Sequence, residues 1–129
     1  MTPALNVVIV DDEPTLAVVM RMLILQEWPH AEVSLFTSPD DLQTGLLEVP
    51  AESVVLMDRR LGGMDSYSAI AELLGSRPDL RVVMLSASLG PEEVASARAA
   101  GAVAAYEKPG GINAWHQLFA AVMSSAVDA

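Results

Sequence analysis

The sequence predicts a doubly wound α/β fold: a (βα)5 three-layer sandwich built around a parallel five-stranded sheet, in one domain spanning residues 1–129. Three observations predict it. Short β-branched runs alternate with segments of helical length, several of those runs are apolar at every position, and capping residues stand at the junctions. A strand that is apolar throughout is covered on both faces, which is the condition of a parallel sheet flanked by helices.

The first run is Leu5 to Val10 (LNVVIV), followed by a helix over residues 14–27. The second strand, Glu32 to Phe36, leads into a helix over 39–48, where Ser38, Pro39, Asp40 and Asp41 supply a cap, an N1 proline and acids at the positive end of the dipole. Gly45 weakens that helix by about 1 kcal/mol relative to alanine. The third strand, Ser53 to Met57, precedes a helix over 66–75, with Asp65 as its expected cap and Gly75 as its expected stop. The fourth strand, Arg81 to Leu85, precedes a helix over 91–100 that opens with Gly90-Pro91-Glu92-Glu93 and stops at Gly101. The fifth and weakest run, Ala102 to Ala105, precedes a helix over 112–127.

Composition removes several function classes. Seventeen acidic and seven basic side chains give a net charge of −10, which repels phosphate backbones and anionic lipid, so direct nucleic-acid or membrane binding by this domain is not expected. Cysteine is absent, excluding disulfides, thiolate zinc sites and a catalytic thiol. The two histidines, His30 and His116, have no partners at metal-ligand spacing and receive no role. The longest nearly apolar stretch, Leu16 to Leu25, is broken by Arg21 and is shorter than the roughly 20 residues of a bilayer span. With no leader-like N-terminus, a cytoplasmic location is the expectation. The last helix leaves no room for an effector after it, so a stand-alone regulator or an excised N-terminal domain is expected.

Ligands of doubly wound sheets sit beyond the carboxyl ends of the strands. Strand one ends in Asp11-Asp12, strand three runs into Asp58, strand four into Ser86, and Lys108-Pro109 follows strand five. Three carboxylates converging on one crevice repel one another unless a cation joins them or protons stay on. A hard divalent cation such as Mg2+, or Mn2+ in its place, answers this through oxygen ligation while retaining waters that a phosphate can replace. Lys108 is the only lysine in the chain, so its position at a strand end is informative.

The residues VDDEP (Val10 to Pro14), Asp58 in VVLMDRRLGGMD, Ser86-Ala87 after VVML, AGA (Ala100 to Ala102) and Lys108-Pro109 occur in the order and at the strand ends of a response-regulator receiver domain of two-component signalling, which the chain resembles across nearly its whole length. The resemblance implies the strand order 2-1-3-4-5. It further implies that Asp58 is the phosphoacceptor, that Asp11 or Asp12, Asp58 and the Arg60 backbone carbonyl hold Mg2+, and that Ser86 and Lys108 contact the phosphoryl oxygens. The phosphodonor would be a histidine kinase or a phosphotransfer protein. The chain would then be a substrate that assists its own phosphorylation and dephosphorylation, not a turnover enzyme.

The chain also departs from the receiver pattern. Receivers usually carry proline four residues and glycine eight residues after the phosphoacceptor, where this chain has Gly62 and Ser66, and Gly62-Gly63 is expected to loosen that loop. Arg60 is expected to bring a cation near the acidic pocket, weakening Mg2+ or shielding the acyl phosphate. The switch aromatic of the family stands three residues before the lysine, which here is Ala105, while Tyr106 is one place late. A one-residue shift in a strand reverses the face, so Tyr106 is not expected to report on Ser86 unless the strand is bulged.

Helices one and five carry almost no charge, which predicts an apolar patch where they adjoin and, with it, a homodimer or a docked partner. The competing reading is a pseudo-receiver that keeps the fold and works by dimerisation or protein interaction without phosphate. An aspartate-nucleophile phosphohydrolase would need a second aspartate where Arg60 stands. A flavin protein of this topology would need a hydroxyl- and glycine-rich loop where Asp11, Asp12, Glu13 and Pro14 stand.

Overall fold

A computed structural model describes residues 5–128, with side chains described through Ser124. The elements in order are β1 (Asn6–Val10), α1 (Pro14–Glu27), β2 (Glu32–Phe36), α2 (Pro39–Thr44), a 3-10 turn (Leu46–Glu48), β3 (Val54–Asp58), β4 (Arg60–Leu61), β5 (Met64–Asp65), α3 (Tyr67–Ser76), β6 (Arg81–Ser86), α4 (Pro91–Ala100), β7 (Ala104–Glu107) and α5 (Ile112–Asp128). Five strands form one parallel sheet in the order β2-β1-β3-β6-β7; with the short strands β4 and β5 set aside this is 2-1-3-4-5.

Alternation along the central strands divides the core in two. Val7, Ile9, Leu56, Val83 and Leu85 pack with Met20, Ile24, Trp115 and Phe119 of α1 and α5. Val8, Val10, Val55, Met57, Val82 and Met84 pack with Leu42, Ile70, Leu73 and Ala97 of α2, α3 and α4. β1, β3 and β6 are buried on both faces, which explains their unbroken apolar runs, while β2 at the sheet edge is mostly exposed.

Four local expectations are corrected. The last strand lies at Ala104–Glu107, two residues beyond the expected Ala102–Ala105, because Ala102 still completes the stop of α4: its N–H bonds the Ala97 carbonyl, and Gly101 takes a left-handed φ of 108°. Helix two ends at Thr44 and continues only as a 3-10 turn; a β-carbon on Gly45 would lie 3.2 Å from the Phe36 ring, so a glycine sits where the helix yields. Gly75 lies within α3, which continues to Ser76.

Asp65 does not cap α3. It belongs to β5 and faces Arg59 at 3.5 Å and Arg60 at 3.6 Å. β4 and β5 form an antiparallel hairpin whose turn residues, Gly62 and Gly63, have φ of 59° and 79°. Positive φ at both central residues matches the twist of a tight hairpin and suits glycine.

The apolar character of α5 is mostly spent inward. Trp115 and Phe119 stack at 5.4 Å between ring centroids, and Leu118, Val122 and Met123 are buried with them. Among the described side chains of the two helices, the large apolar ones that are exposed are Val18, Val19 and Met22 on α1 and Ile112 at the start of α5. No helix among the described residues is long and apolar enough to cross a membrane.

Candidate functional site

Parallel strands deliver their C-terminal residues to one edge, and here that edge is acidic. Asp11 follows β1 directly and is 1% exposed; Asp12 beside it is exposed; Asp58 ends β3 half-buried. One carboxylate oxygen from each of the three lies within 4.8 Å of the others. Glu13 N–H donates to Asp11 Oδ1 at 2.8 Å, fixing that buried carboxylate. All-oxygen donors at this spacing fit a hard divalent cation.

Lys108 is the counter-charge. It lies just beyond β7, where its N–H donates to the Ser86 carbonyl at 2.7 Å, and its Nζ reaches Asp58 Oδ2 at 3.1 Å and Asp11 Oδ2 at 3.4 Å. Burial raises the Asp58 carboxyl above its ordinary range, and Lys108 pulls it back only in part. Burial alone would lower the Lys108 ammonium, but the hydrogen bond and charge of Asp58, with Asp11 behind it, hold it above its ordinary value.

Ser86 ends β6 and is buried, and its Oγ donates to the Ser88 carbonyl at 2.6 Å. The segments after β3 and β7 are both laced to this strand end, through Arg59 N–H to the Leu85 carbonyl and Lys108 N–H to the Ser86 carbonyl. Asp11, Asp12, Asp58, Ser86 and Lys108 therefore all stand at the C-terminal edge of the sheet, as the strand-end argument requires.

The hairpin borders this edge. Gly62 N–H donates to Asp12 Oδ2 at 2.9 Å, a bond that a proline at this position could not make. The departure from the family residue thus supplies a donor to one of the three carboxylates. Arg60 behaves differently from expectation: its Nη2 donates to the Gly63 carbonyl at 2.7 Å and its Nη1 faces Asp65, so its cation is engaged inside the hairpin, not by the acidic cluster. Ser66, at the other departure, is buried with a hydroxyl that has no hydrogen-bond partner among the described residues.

The last strand is regular. Register runs without a bulge from Val83 with Ala104 through Met84 with Ala105 and Leu85 with Tyr106 to Ser86 with Glu107. Tyr106 packs on the α1–α5 side and Ala105 on the opposite side, so Tyr106 faces away from the side that Ser86 takes by alternation. Two residues that sequence reasoning passed over adjoin the site. Glu107 Oε1 accepts the Leu89 N–H at 3.1 Å, and Arg59 Nη1 lies 3.4 Å from Glu93 Oε1 on α4. Neither has a signal in spacing, since each partner is distant in sequence.

Comparison with known proteins agrees with this arrangement. The chain is similar over 93% of its length to 98% of the signal receiver domain of a DNA-binding response regulator from Colwellia psychrerythraea, at 20% identity and a TM-score of 0.78. A response regulator from Thermotoga maritima (20% identity, TM-score 0.77, 95% of this chain and 99% of that one) and a chemotaxis protein from Vibrio cholerae (16%, 0.79, 93% and 99%) share the fold. No curated protein sequence matches significantly. The model of the response regulator receiver domain matches residues 7–120. With the acidic cluster, the strand-end serine and lysine and the 2-1-3-4-5 sheet in place, the chain belongs to the response-regulator receiver family.

Proposed function

We propose that this receiver domain, residues 1–129, is a phosphoacceptor switch of a two-component system in which Asp58 takes a phosphoryl group from a phosphohistidine of a histidine kinase or phosphotransfer protein. The observation that carries the reading is the placement of Asp58 at the end of the central strand β3, within ion-pair reach of Lys108 and clustered with Asp11 and Asp12. An Asp58 carboxylate oxygen attacks phosphorus as the nitrogen–phosphorus bond of the donor breaks, and the imidazole leaves with that electron pair. Lys108 follows the charge from the carboxylate to the phosphoryl oxygens, and the Ser86 hydroxyl supplies a hydrogen bond to them.

Mg2+ is the cation this reading implies, held by Asp11 or Asp12, Asp58 and the Arg60 carbonyl; bound there, it neutralises charge on the transferring group. An acyl phosphate is reactive toward water, so the switch resets by hydrolysis. Signalling in this account needs no turnover of a separate substrate. A homodimer or partner docked through α1 and α5 accompanies the proposal, resting on exposed Val18, Val19 and Met22; Met22→Glu is expected to lower any self-association seen by sedimentation.

One observation favours the pseudo-receiver reading: Ala105 occupies the switch position and Tyr106 is packed on the other face. Intact mass after incubation with a small-molecule phosphodonor separates the two. A Mg2+-dependent gain of one phosphoryl group, lost in Asp58→Asn, is the expected result. No gain by a folded protein, with a donor that labels another receiver, favours phosphate-independent interaction.

A further inference from the structure

Ser86 and Glu107 are register partners at the ends of β6 and β7, and both hold the loop that joins β6 to α4. The Ser86 hydroxyl donates to the Ser88 carbonyl at 2.6 Å. Glu107 Oε1 accepts the next N–H, that of Leu89, at 3.1 Å. One residue further, Glu93 Oε2 accepts the Gly90 N–H at 3.2 Å, while its other oxygen faces Arg59, the residue after Asp58. Residues 88–90 are thus held at three backbone groups, two of them by carboxylates.

A serine hydroxyl has one hydrogen. Ser86 therefore cannot donate to Ser88 and to a phosphoryl group on Asp58 together. Turning toward a phosphoryl group means releasing the Ser88 carbonyl, which lies in an exposed residue and then takes water or another partner. That carbonyl shares its peptide unit with the Leu89 N–H that Glu107 tethers, so the two contacts hold one rigid plane.

We infer that Glu107 is a positioning residue for Ser86: its carboxylate latches Leu89 and so holds the loop in the arrangement that commits the Ser86 hydroxyl to the Ser88 carbonyl. The inference rests on the reading of Asp58 as phosphoacceptor and supplies its regulation. Whatever group on Asp58 draws the Ser86 hydroxyl must work against the latch, and removing the latch shifts the equilibrium toward the drawn state.

The test compares wild type, Glu107→Ala and Glu107→Gln with Mg2+ and beryllium fluoride, a phosphoryl mimic. Nuclear magnetic resonance follows both the affinity and the Leu89 amide, through its shift and its exchange with solvent. Glu107 is exposed, so its replacement leaves the core intact. Wild type is expected to show a hydrogen-bonded Leu89 amide that is released on saturation. Glu107→Ala is expected to show it released from the start and to bind the mimic about fivefold more tightly, the scale of one lost hydrogen bond. Glu107→Gln, whose neutral oxygen still accepts, should fall between them. Equal affinities in wild type and Glu107→Ala, or a Leu89 amide still bonded in saturated wild type, overturn the latch alone. Failure of wild type to bind the mimic removes the phosphoacceptor reading, and the latch falls with it.

Discussion

Lys108 Nζ lies 3.1 Å from Asp58 Oδ2 and 3.4 Å from Asp11 Oδ2, so one ammonium spans two of the three clustered carboxylates. Lys108→Met leaves Asp11 and Asp58 facing each other with no internal counter-charge. Asp58, already raised by burial, then rises further. A carboxyl whose folded pKa lies above its unfolded value favours folding at low pH, and that contribution is lost as pH rises through the folded pKa. The variant is therefore expected to be less stable than wild type by about 2 kcal/mol at pH 7, with the deficit shrinking as pH falls toward the ordinary carboxylate range. Urea denaturation at pH 7 and pH 5 measures it; an equal deficit at both contradicts the electrostatic account.

The Arg77–Asp79 pair makes an opposite prediction. Arg77 Nε donates to Asp79 Oδ1 and Nη2 to Asp79 Oδ2, both at 2.9 Å, while Nη1 reaches the Leu46 and Val49 carbonyls. Asp79 also accepts the Glu52 N–H, which pins a residue with φ of 62°. The Arg77 hydrogen bond, and then that of Glu52, hold the Asp79 carboxyl far below its ordinary value of 3.8. A depressed folded pKa stabilises above the unfolded value, and the contribution drains away as pH falls from there toward the folded value. Asp79→Asn should cost about 1 kcal/mol at pH 7 and flatten the acid limb of the stability curve below pH 4. An acid limb identical to wild type would count against the assignment.

The hairpin is equally open to test. Proline at position 62 would delete the N–H that Asp12 accepts and force φ toward about −65° where the chain has 59°. Gly62→Pro is expected to lower stability by about 2 kcal/mol, whereas Met64→Ala, at a side chain 73% exposed, should be near neutral. Thermal unfolding of the two variants decides it, and an unchanged midpoint for Gly62→Pro would mean that the turn is not the one described.

Much of this was legible because a parallel sheet converts strand ends into a site. Asp11, Asp58 and Ser86 stand at the ends of buried apolar runs, which mark their positions without knowledge of tertiary contacts. The last strand starts later than its sequence suggests because Ala102 to Ala105 has little β preference, and the left-handed stop at Gly101 takes up two further residues before pairing begins. Gly62-Gly63 is expected to loosen its loop, but the same freedom at positive φ closes a paired two-residue turn between Leu61 and Met64. Asp65 looked like a helix cap because a short acid before a helix usually is one, but two neighbouring arginines claim it. Glu107 was illegible, since the partner of its carboxylate is a backbone amide 18 residues away.

In the proposed switch Asp58, and neither Asp11 nor Asp12, carries the phosphoryl group. Borohydride reduces an acyl phosphate to the alcohol and releases phosphate, so treating the phosphorylated protein converts the acceptor aspartate to homoserine, and peptide mass spectrometry locates it. The account predicts homoserine at position 58 alone, dependent on Mg2+ and on the phosphodonor. Homoserine at position 11 or 12, or none at any aspartate of a protein that has gained a phosphoryl group, would contradict it.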